Sequence, residues 1–303
     1  MLFQLKLLRF LLNPKSQKLI SVFVVSFLVV GCNSLIPIYQ NCNFPEQNLV
    51  PGGLINIKKK NVNLDLIDFE YFECGQSKDL RIIAPIAYNF DMRDIENIGL
   101  TIKNKEFRES RIVIKEKKFN QLSKENLERI NLERDLYINA LKKKYSSSKL
   151  NLPLLSPTKG IVSSEYGVKR FINNVRKNPH LGLDIAAEVG EPVYAAANGK
   201  VLLSENFFYR GNFILLGHAQ NLKTSYSHLN KSIVKKDDEV SKGDLIGFVG
   251  SSGRVTGPHL HFEVLLLNKK LDVIILFSSR PLIFTFLILL ASPSIISNSI
   301  PLS

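Results

Sequence analysis

The chain has 303 residues, 45% of them hydrophobic, only three cysteines, and a net charge of +13. Such a charge draws a protein toward an anionic polymer. The lysines are scattered and no nucleic-acid-binding motif accompanies them, so the charge does not indicate nucleic acid as a partner.

The N-terminus opens with Lys6, Arg9, Lys15 and Lys18 and has no acidic residue before Cys32, which leaves +9 for the part from Cys32 onward. A 12-residue apolar run, Leu19 to Val30, follows and ends at Gly31-Cys32. A basic start, a short apolar run and a small residue before the cut describe a secretory signal over residues 1–31. The run is shorter than the roughly 20 residues that a membrane span needs. Leu28-Val29-Val30-Gly31-Cys32 resembles the lipobox of bacterial lipoproteins. That resemblance implies that Cys32 is the lipidation site and that two acyl chains hold the mature protein on a membrane. Ordinary signal cleavage with an incidental Cys32 is the other reading.

Residues 32–49 carry Asn, Pro and Gln and read as a tether. From 50 to 118 come short β-type runs, Leu54–Ile57, Leu80–Ile86 and Arg111–Lys115, separated by turn signals such as Gly52-Gly53, Cys74-Gly75 and Asn104-Lys105. They predict a small β-rich module. Cys42 and Cys74 are a disulfide pair in an oxidising compartment or two free thiols, and spacing alone does not choose. Within 119–150 the pattern predicts a connecting helix from Ser123 to Lys144. Ser123 caps it, Glu125 and Glu128 sit near its positive end, and Lys142-Lys143-Lys144 sit near its negative end. Leu127, Ile130, Tyr137 and Leu141 fall roughly on one face.

From 151 to 272 short strands recur between glycine turns: Val193–Ala195, Lys200–Leu203, Phe213–Leu216, Thr224–Tyr226, Leu245–Val249 and Leu260–Leu266. About 115 residues of this kind suffice for one mostly antiparallel core. Four of the chain's five histidines fall here in three blocks: His180-Leu181-Gly182-Leu183-Asp184, Tyr226-Ser227-His228-Leu229 and His259-Leu260-His261-Phe262-Glu263. In a strand, His259 and His261 share one face while Leu260 and Phe262 point into a core. His180 and Asp184 are close enough to reach one ion from a single loop or strand end, with Gly182 allowing a close backbone approach. A catalytic zinc takes three protein ligands and keeps a fourth position for water, which leaves two of these side chains for acid–base work. A lone His-x-His or His-x-x-x-Asp would carry little weight; the ordered set among glycines carries much more. His218, after the apolar run Phe213–Leu216, has no partner at a recognisable spacing and reads as structural.

The stretch from about Pro157 to Asp272 resembles the lysostaphin-type (LytM-like) zinc metallo-endopeptidases, which hydrolyse peptide bonds of bacterial cell-wall peptidoglycan. The likeness runs through Gly190-Glu191-Pro192-Val193-Tyr194-Ala195-Ala196-Ala197-Asn198-Gly199, Val240-Ser241-Lys242-Gly243-Asp244 and Gly250-Ser251-Ser252-Gly253-Arg254-Val255-Thr256-Gly257-Pro258-His259-Leu260-His261-Phe262-Glu263. It implies that His180, Asp184 and His261 ligate one zinc ion and that His228 and His259 are the catalytic pair. It implies a mainly β fold: an antiparallel β catalytic domain at 151–272, preceded by the β-rich module and one helix. It also implies a hydrolase of peptide stems in the cell envelope; together with the lipobox-like start it suggests a D,D-endopeptidase, lipid-anchored and facing the periplasm. The alternative is a non-catalytic or autoinhibited activator or wall-binding protein, since some family members have lost metal ligands; this chain keeps all five positions. The helix is then a spacer, favoured here, or a segment that covers the cleft as in latent members.

The family pattern stops near Leu271-Asp272. Residues 273–303 form an apolar tail interrupted by Arg280, Pro281 and Pro293, too short between the prolines to span a bilayer easily. A membrane-associated segment and a translated frameshift are both open, the second favoured.

Overall fold

The computed structural model describes residues 38–39, 42–67, 69–76, 79–91, 93–113, 119, 121–145 and 150–277. The expected signal, Cys32 and the tail from 278 onward lie outside the described residues.

The first sheet holds β1 (Ile38–Tyr39), β2 (Leu54–Lys58), β3 (Phe72–Cys74) and β4 (Arg81–Pro85) in the order β1-β3-β4-β2. β1 runs parallel to β3 and the other pairs are antiparallel. Alternation sends Leu54, Phe72 and Ile83 to one face and Ile55 and Ala84 to the other. The second face is covered by Ile86, Ile95 and Ile102, with Ile95 carried on the short helix α1 (Arg93–Glu96). The expected tether is therefore partly built into the module. Tyr39 meets Phe72 edge to face at 5.3 Å, Phe44 is buried, and Cys42 is disulfide-bonded to Cys74.

The third predicted strand of the module belongs elsewhere. β5 (Glu109–Ile112) lies parallel to β7 (Lys169–Ile172) in a sheet with β8 (Val175–Arg176), while β6 (Ile161–Ser164) joins the main sheet. Between β5 and β6 in the chain comes α2 (Lys124–Leu141), capped by Ser123, whose Oγ accepts from Asn126 N at 3.3 Å. Three of the four predicted face residues are packed, Ile130 against Phe119, Ile172 and Phe208. Ala140, Tyr137 and Leu141 pack on Leu202, Phe207, Phe213 and Leu215, whereas Leu127 is 47% exposed. A roughly helical spacing does not fix which residues meet the sheet; the docking angle does.

The remaining strands are β9 (Leu183–Ala186), β10 (Pro192–Tyr194), β11 (Gly199–Phe207), β12 (Gly211–Gly217), β13 (Leu222–Leu229), β14 (Lys231–Ser232), β15 (Glu239–Val240), β16 (Leu245–Phe248), β17 (His259–Leu266) and β18 (Lys269–Leu271). The main sheet runs β15-β11-β12-β13-β17-β9-β6, with β18 paired to β17, and β10-β16-β14 form a smaller sheet. One apolar cluster fills the space between them and continues into the N-terminal sheet, joining Val201, Ile214, Tyr226, Phe262 and Val264 to Leu54 and Phe72. The fold also continues past the expected boundary at 272. Val273–Leu276 makes a 3-10 turn capped by Asp272, Val273 and Leu276 are buried, and Leu276 O accepts from Leu154 N at 2.8 Å. These apolar residues are core.

His218 is a buried structural residue. Its Nδ1 donates to Asn198 O at 2.8 Å and its Nε2 shares a hydrogen bond with Thr224 Oγ1 at 2.7 Å. Tyr226 Oη, 3.0 Å from Thr224 Oγ1, accepts from Ala196 N at 2.9 Å. Burial pushes the His218 pKa from 6.5 down to about 4. An unfolded chain takes up this proton near 6.5 and the folded chain only near 4, so folding loses stability as pH falls through that window. Replacing His218 with Gln should therefore cost more stability at pH 7.5 than at pH 4.5. In metal-free urea unfolding the difference should shrink by on the order of 2 kcal/mol; a penalty independent of pH would contradict the assignment.

Candidate metal centre and active site

β17 lies between β9 and β13. Its register sets His261 opposite Asp184 on one side and opposite Ser227 on the other. Leu260, Phe262 and Val264 are fully buried in the apolar cluster, so His259, His261 and Glu263 share the opposite face. His180 arrives just before β9, held by hydrogen bonds from His180 N to Val168 O (2.9 Å) and from Gly167 N to His180 O (2.6 Å).

Three donor atoms meet there. His180 Nε2 is 2.9 Å from Asp184 Oδ1 and 3.0 Å from His261 Nδ1, and His261 Nδ1 is 2.6 Å from Asp184 Oδ1. Tetrahedral zinc with bonds of about 2.05 Å sets its ligands about 3.3 Å apart, so a small contraction separates this triangle from a zinc site. The tautomers also suit a metal. His180 Nδ1 donates to Glu165 O at 2.7 Å, with Ser164 Oγ 3.0 Å away, which leaves Nε2 bare. His261 Nε2 donates to Glu263 Oε1 at 3.1 Å, which leaves Nδ1 bare. Two neutral imidazoles and one carboxylate fit one zinc ion.

Charge supports the same arrangement. Burial opposes ionisation of Asp184, yet its carboxyl is held well below the usual range by the His261 and His180 rings where they turn a proton toward it, and Asp184 in turn raises the pKa of His261 against its burial; a zinc ion would displace those protons. Arg170 on β7 donates to Asp184 Oδ2 at 3.1 Å. Glu263, fully buried, is likewise held well below the usual range against desolvation, by Arg210 and Lys270. Arg210 donates to its Oε2 at 3.0 Å, as does Ser225 Oγ at 3.0 Å, and Lys270 pairs with Oε1.

His228 and His259 face this triangle. Their ring centroids are 4.9 Å apart, and His228 is 6.0 Å from His261. His228 Nδ1 donates to Ser252 O and His259 Nδ1 to Gly257 O, both at 2.9 Å. A carbonyl oxygen only accepts, so in the neutral form of each ring the lone pair is on Nε2. His259 Nε2 lies 3.9 Å from Asp184 Oδ1. Burial, reinforced by the neighbouring His261 and His259, pushes the His228 pKa down to about 3, so this ring is neutral at physiological pH. His228 also has φ of 65°, in the left-handed region, within the register shift between β12 and β13, and its N donates to Arg210 O at 2.8 Å.

All five predicted site residues thus come together, while Cys32 lies outside the described residues. The sequence reading did not assign the supporting residues Glu263, Arg210, Arg170, Ser164 and Glu165. Glu263 was legible, because residues two apart on a strand share a face. Arg210, on the short β11–β12 connection, carried no signal.

Comparison with known proteins follows the same line. The family described as Peptidase family M23 matches residues 178–273, and the chain carries that domain. Over 94 residues it is 46% identical to peptidoglycan DD-endopeptidase ShyB of Vibrio cholerae, 31% of this chain and 22% of that protein. Over 113 residues it is 40% identical to peptidoglycan DD-endopeptidase ShyA of the same organism, 37% of this chain and 26% of that protein. The chain therefore spans about a quarter of the length of these curated relatives. A solved structure of a putative peptidase M23 from Pseudomonas aeruginosa superposes with a TM-score of 0.56 at 25% identity, covering 76% of this chain and 95% of that one. That likeness reaches well beyond residues 178–273.

Two substitutions test the metal centre. A Cβ on Gly182 would lie 2.8 Å from His261 Cε1 and 2.8 Å from Phe262 O, so Gly182→Ala should displace His261 and lower zinc affinity. Glu263→Gln should weaken zinc binding by about 10- to 100-fold by loosening the hold on His261 Nε2. Zinc occupancy measured by mass spectrometry across buffered free zinc checks both; wild-type occupancy curves would refute this account of the site.

Proposed function

We propose that the protein is a zinc-dependent peptidoglycan endopeptidase that hydrolyses peptide cross-links between D-centres. The observation that carries this reading is the triangle of His180 Nε2, Asp184 Oδ1 and His261 Nδ1 beside two further histidines with bare Nε2 atoms. In this proposal His180, Asp184 and His261 are the metal ligands, and His228 and His259 are the catalytic pair. The matched family domain and the relatives named DD-endopeptidases support it.

A zinc ion held by these three atoms supplies a Lewis acid for the scissile carbonyl and lowers the pKa of a bound water to about 7. The chain's own residues do the rest. His228 and His259 turn their Nε2 atoms toward the site, each with Nδ1 held on a backbone carbonyl. One takes the proton of the attacking water, and the pair returns a proton to the leaving amine, so that water adds across the amide and no net proton is consumed. The backbone carbonyls of Ser252 and Gly257 fix the tautomers that make this possible. Glu263 and Arg170 orient ligands, and Arg210 and Lys270 keep Glu263 charged.

The setting proposed is the cell envelope. The basic start, the apolar run and Leu28-Val29-Val30-Gly31-Cys32 support export and a lipid on Cys32, with the enzyme facing the periplasm. No helix among the described residues is long and apolar enough to cross a membrane. The module, α2 and the catalytic domain are proposed to act as one unit on the outer side of that anchor.

Purified protein incubated with sacculi should convert cross-linked dimers to monomers in muropeptide analysis. His228→Ala and His259→Ala should keep one equivalent of zinc and lose at least about 100-fold in rate, while Asp184→Ala should lose the metal itself. Near-normal turnover by either His variant would sink the assignment of the pair. In cells, Cys32→Ala should move the protein from the membrane to the soluble fraction; unchanged membrane retention would overturn the lipid anchor.

A further inference from the structure

Arg254 stands in the loop between β16 and β17, along the catalytic pair. Two residues before it, Ser252 O receives His228 Nδ1–H; three residues after it, Gly257 O receives His259 Nδ1–H. Its own N donates to Tyr209 O at 3.0 Å, and its guanidinium lies 4.4 Å from the centre of the Tyr209 ring. The loop is thus pinned at three points around the site, and the Arg254 side chain has one defined partner, an aromatic face.

The neighbouring cations are all paired. Arg170 is bound to Asp184, Arg210 and Lys270 to Glu263, and Arg108 to Glu165. Among the described residues Arg254 has no carboxylate within ion-pair distance. It is half-buried, and burial lowers its pKa from the ordinary value, with Arg170 adding repulsion. A guanidinium removed from water without a counter-ion costs free energy, and a ring face returns only part of it. The rest is recovered when an anion is bound, and a planar guanidinium matches a carboxylate bidentately.

The proposed substrate class carries such an anion at the right place. Where a cross-link joins a D-alanyl carbonyl to the amine at the D-centre of a diamino acid, the carbon bearing the scissile nitrogen also bears a free carboxylate. A C-terminal D-amino acid has the same arrangement. We propose that Arg254 is the specificity residue that pairs with this leaving-side carboxylate and so selects peptide bonds whose amine-side carbon carries a free acid. The inference rests on the endopeptidase reading above and adds the group that sets bond choice.

The test compares two probes, a cross-linked muropeptide dimer and the same dimer with that carboxylate converted to its amide. Binding is measured by calorimetry on the zinc-loaded full chain made inactive by His259→Ala. The acid should bind about 10- to 100-fold more tightly than the amide. Adding Arg254→Gln should abolish that ratio, and Arg254→Lys should retain part of it. A merely structural role on Tyr209 would change thermal stability and leave the ratio alone. The wild-type protein should show the same acid-over-amide preference in kcat/KM. An acid-to-amide ratio near one in the His259→Ala chain, binding of neither probe, or a ratio that survives Arg254→Gln would overturn the proposal. Equal hydrolysis of both probes by the wild type would overturn it while leaving the endopeptidase reading standing. Discrimination in binding with no hydrolysis of either probe would leave Arg254 in place and remove the endopeptidase reading.

Discussion

The pairing of β17 with β9 is the constraint on which the site depends. It sets His261 opposite Asp184, and the pairing of β17 with β13 sets Glu263 opposite Ser225. Because side chains alternate, a slip of one residue would send His259, His261 and Glu263 into the core and bring Leu260 and Phe262 out. The apolar residues enforce the register: Leu260, Phe262 and Val264 are fully buried, and Phe262 packs against Tyr226 at 5.2 Å. The convergence of the three donor atoms is therefore a by-product of core burial on the other face.

That rigidity extends through buried charge. Glu263 takes hydrogen bonds from His261, Arg210 and Ser225 and pairs with Lys270, so removing any one partner leaves a desolvated charge exposed to the rest. Arg210 is flanked in turn by the rings of Tyr137 at 4.9 Å and Phe213 at 5.0 Å. Tyr137 belongs to α2, outside the matched family segment. The same helix holds the β11–β12 turn directly, with Glu133 accepting from Phe208 N and Arg129 donating to Asn206. Arg210 O accepts from His228 N. The helix is thus packed where a spacer would leave it free, and the turn that it braces also fixes the backbone of a site histidine.

What the sequence revealed and what it hid divide along physical lines. The convergence of the five candidate residues was legible because metal chemistry restricts residue type and strand alternation restricts spacing. Glu263 followed the same alternation and needed only the question of what holds His261. The strand at Glu109–Ile112 was visible as a strand, but its partner was not: β5 pairs with β7, some 60 positions on, and propensity carries no information about partners. Leu127 was misread because a short helical stripe does not determine its docking angle. The boundary at 272 was misread because an apolar run looks the same whether it begins a tail or, as Val273 and Leu276 do, closes a core.

The basic character of the chain needs a similar division. A charge of +9 from Cys32 onward would attract any anionic polymer without distinguishing one bond from another, because charges scattered over a surface are solvated and screened. Discrimination requires a cation that has given up its water and has no partner of its own. The site also pays for order elsewhere, in the left-handed backbone of His228, which for a non-glycine residue costs on the order of 1–3 kcal/mol. Two hydrogen bonds hold that conformation, one to Arg210 O and one to Ser252 O, so the strained residue ties the β11–β12 turn to the loop that carries Arg254. The elements that fix the histidine pair on backbone carbonyls are the same ones that carry Arg254, which has no carboxylate partner among the described residues. The positions of both candidate histidines and of Arg254 are then properties of one pinned loop.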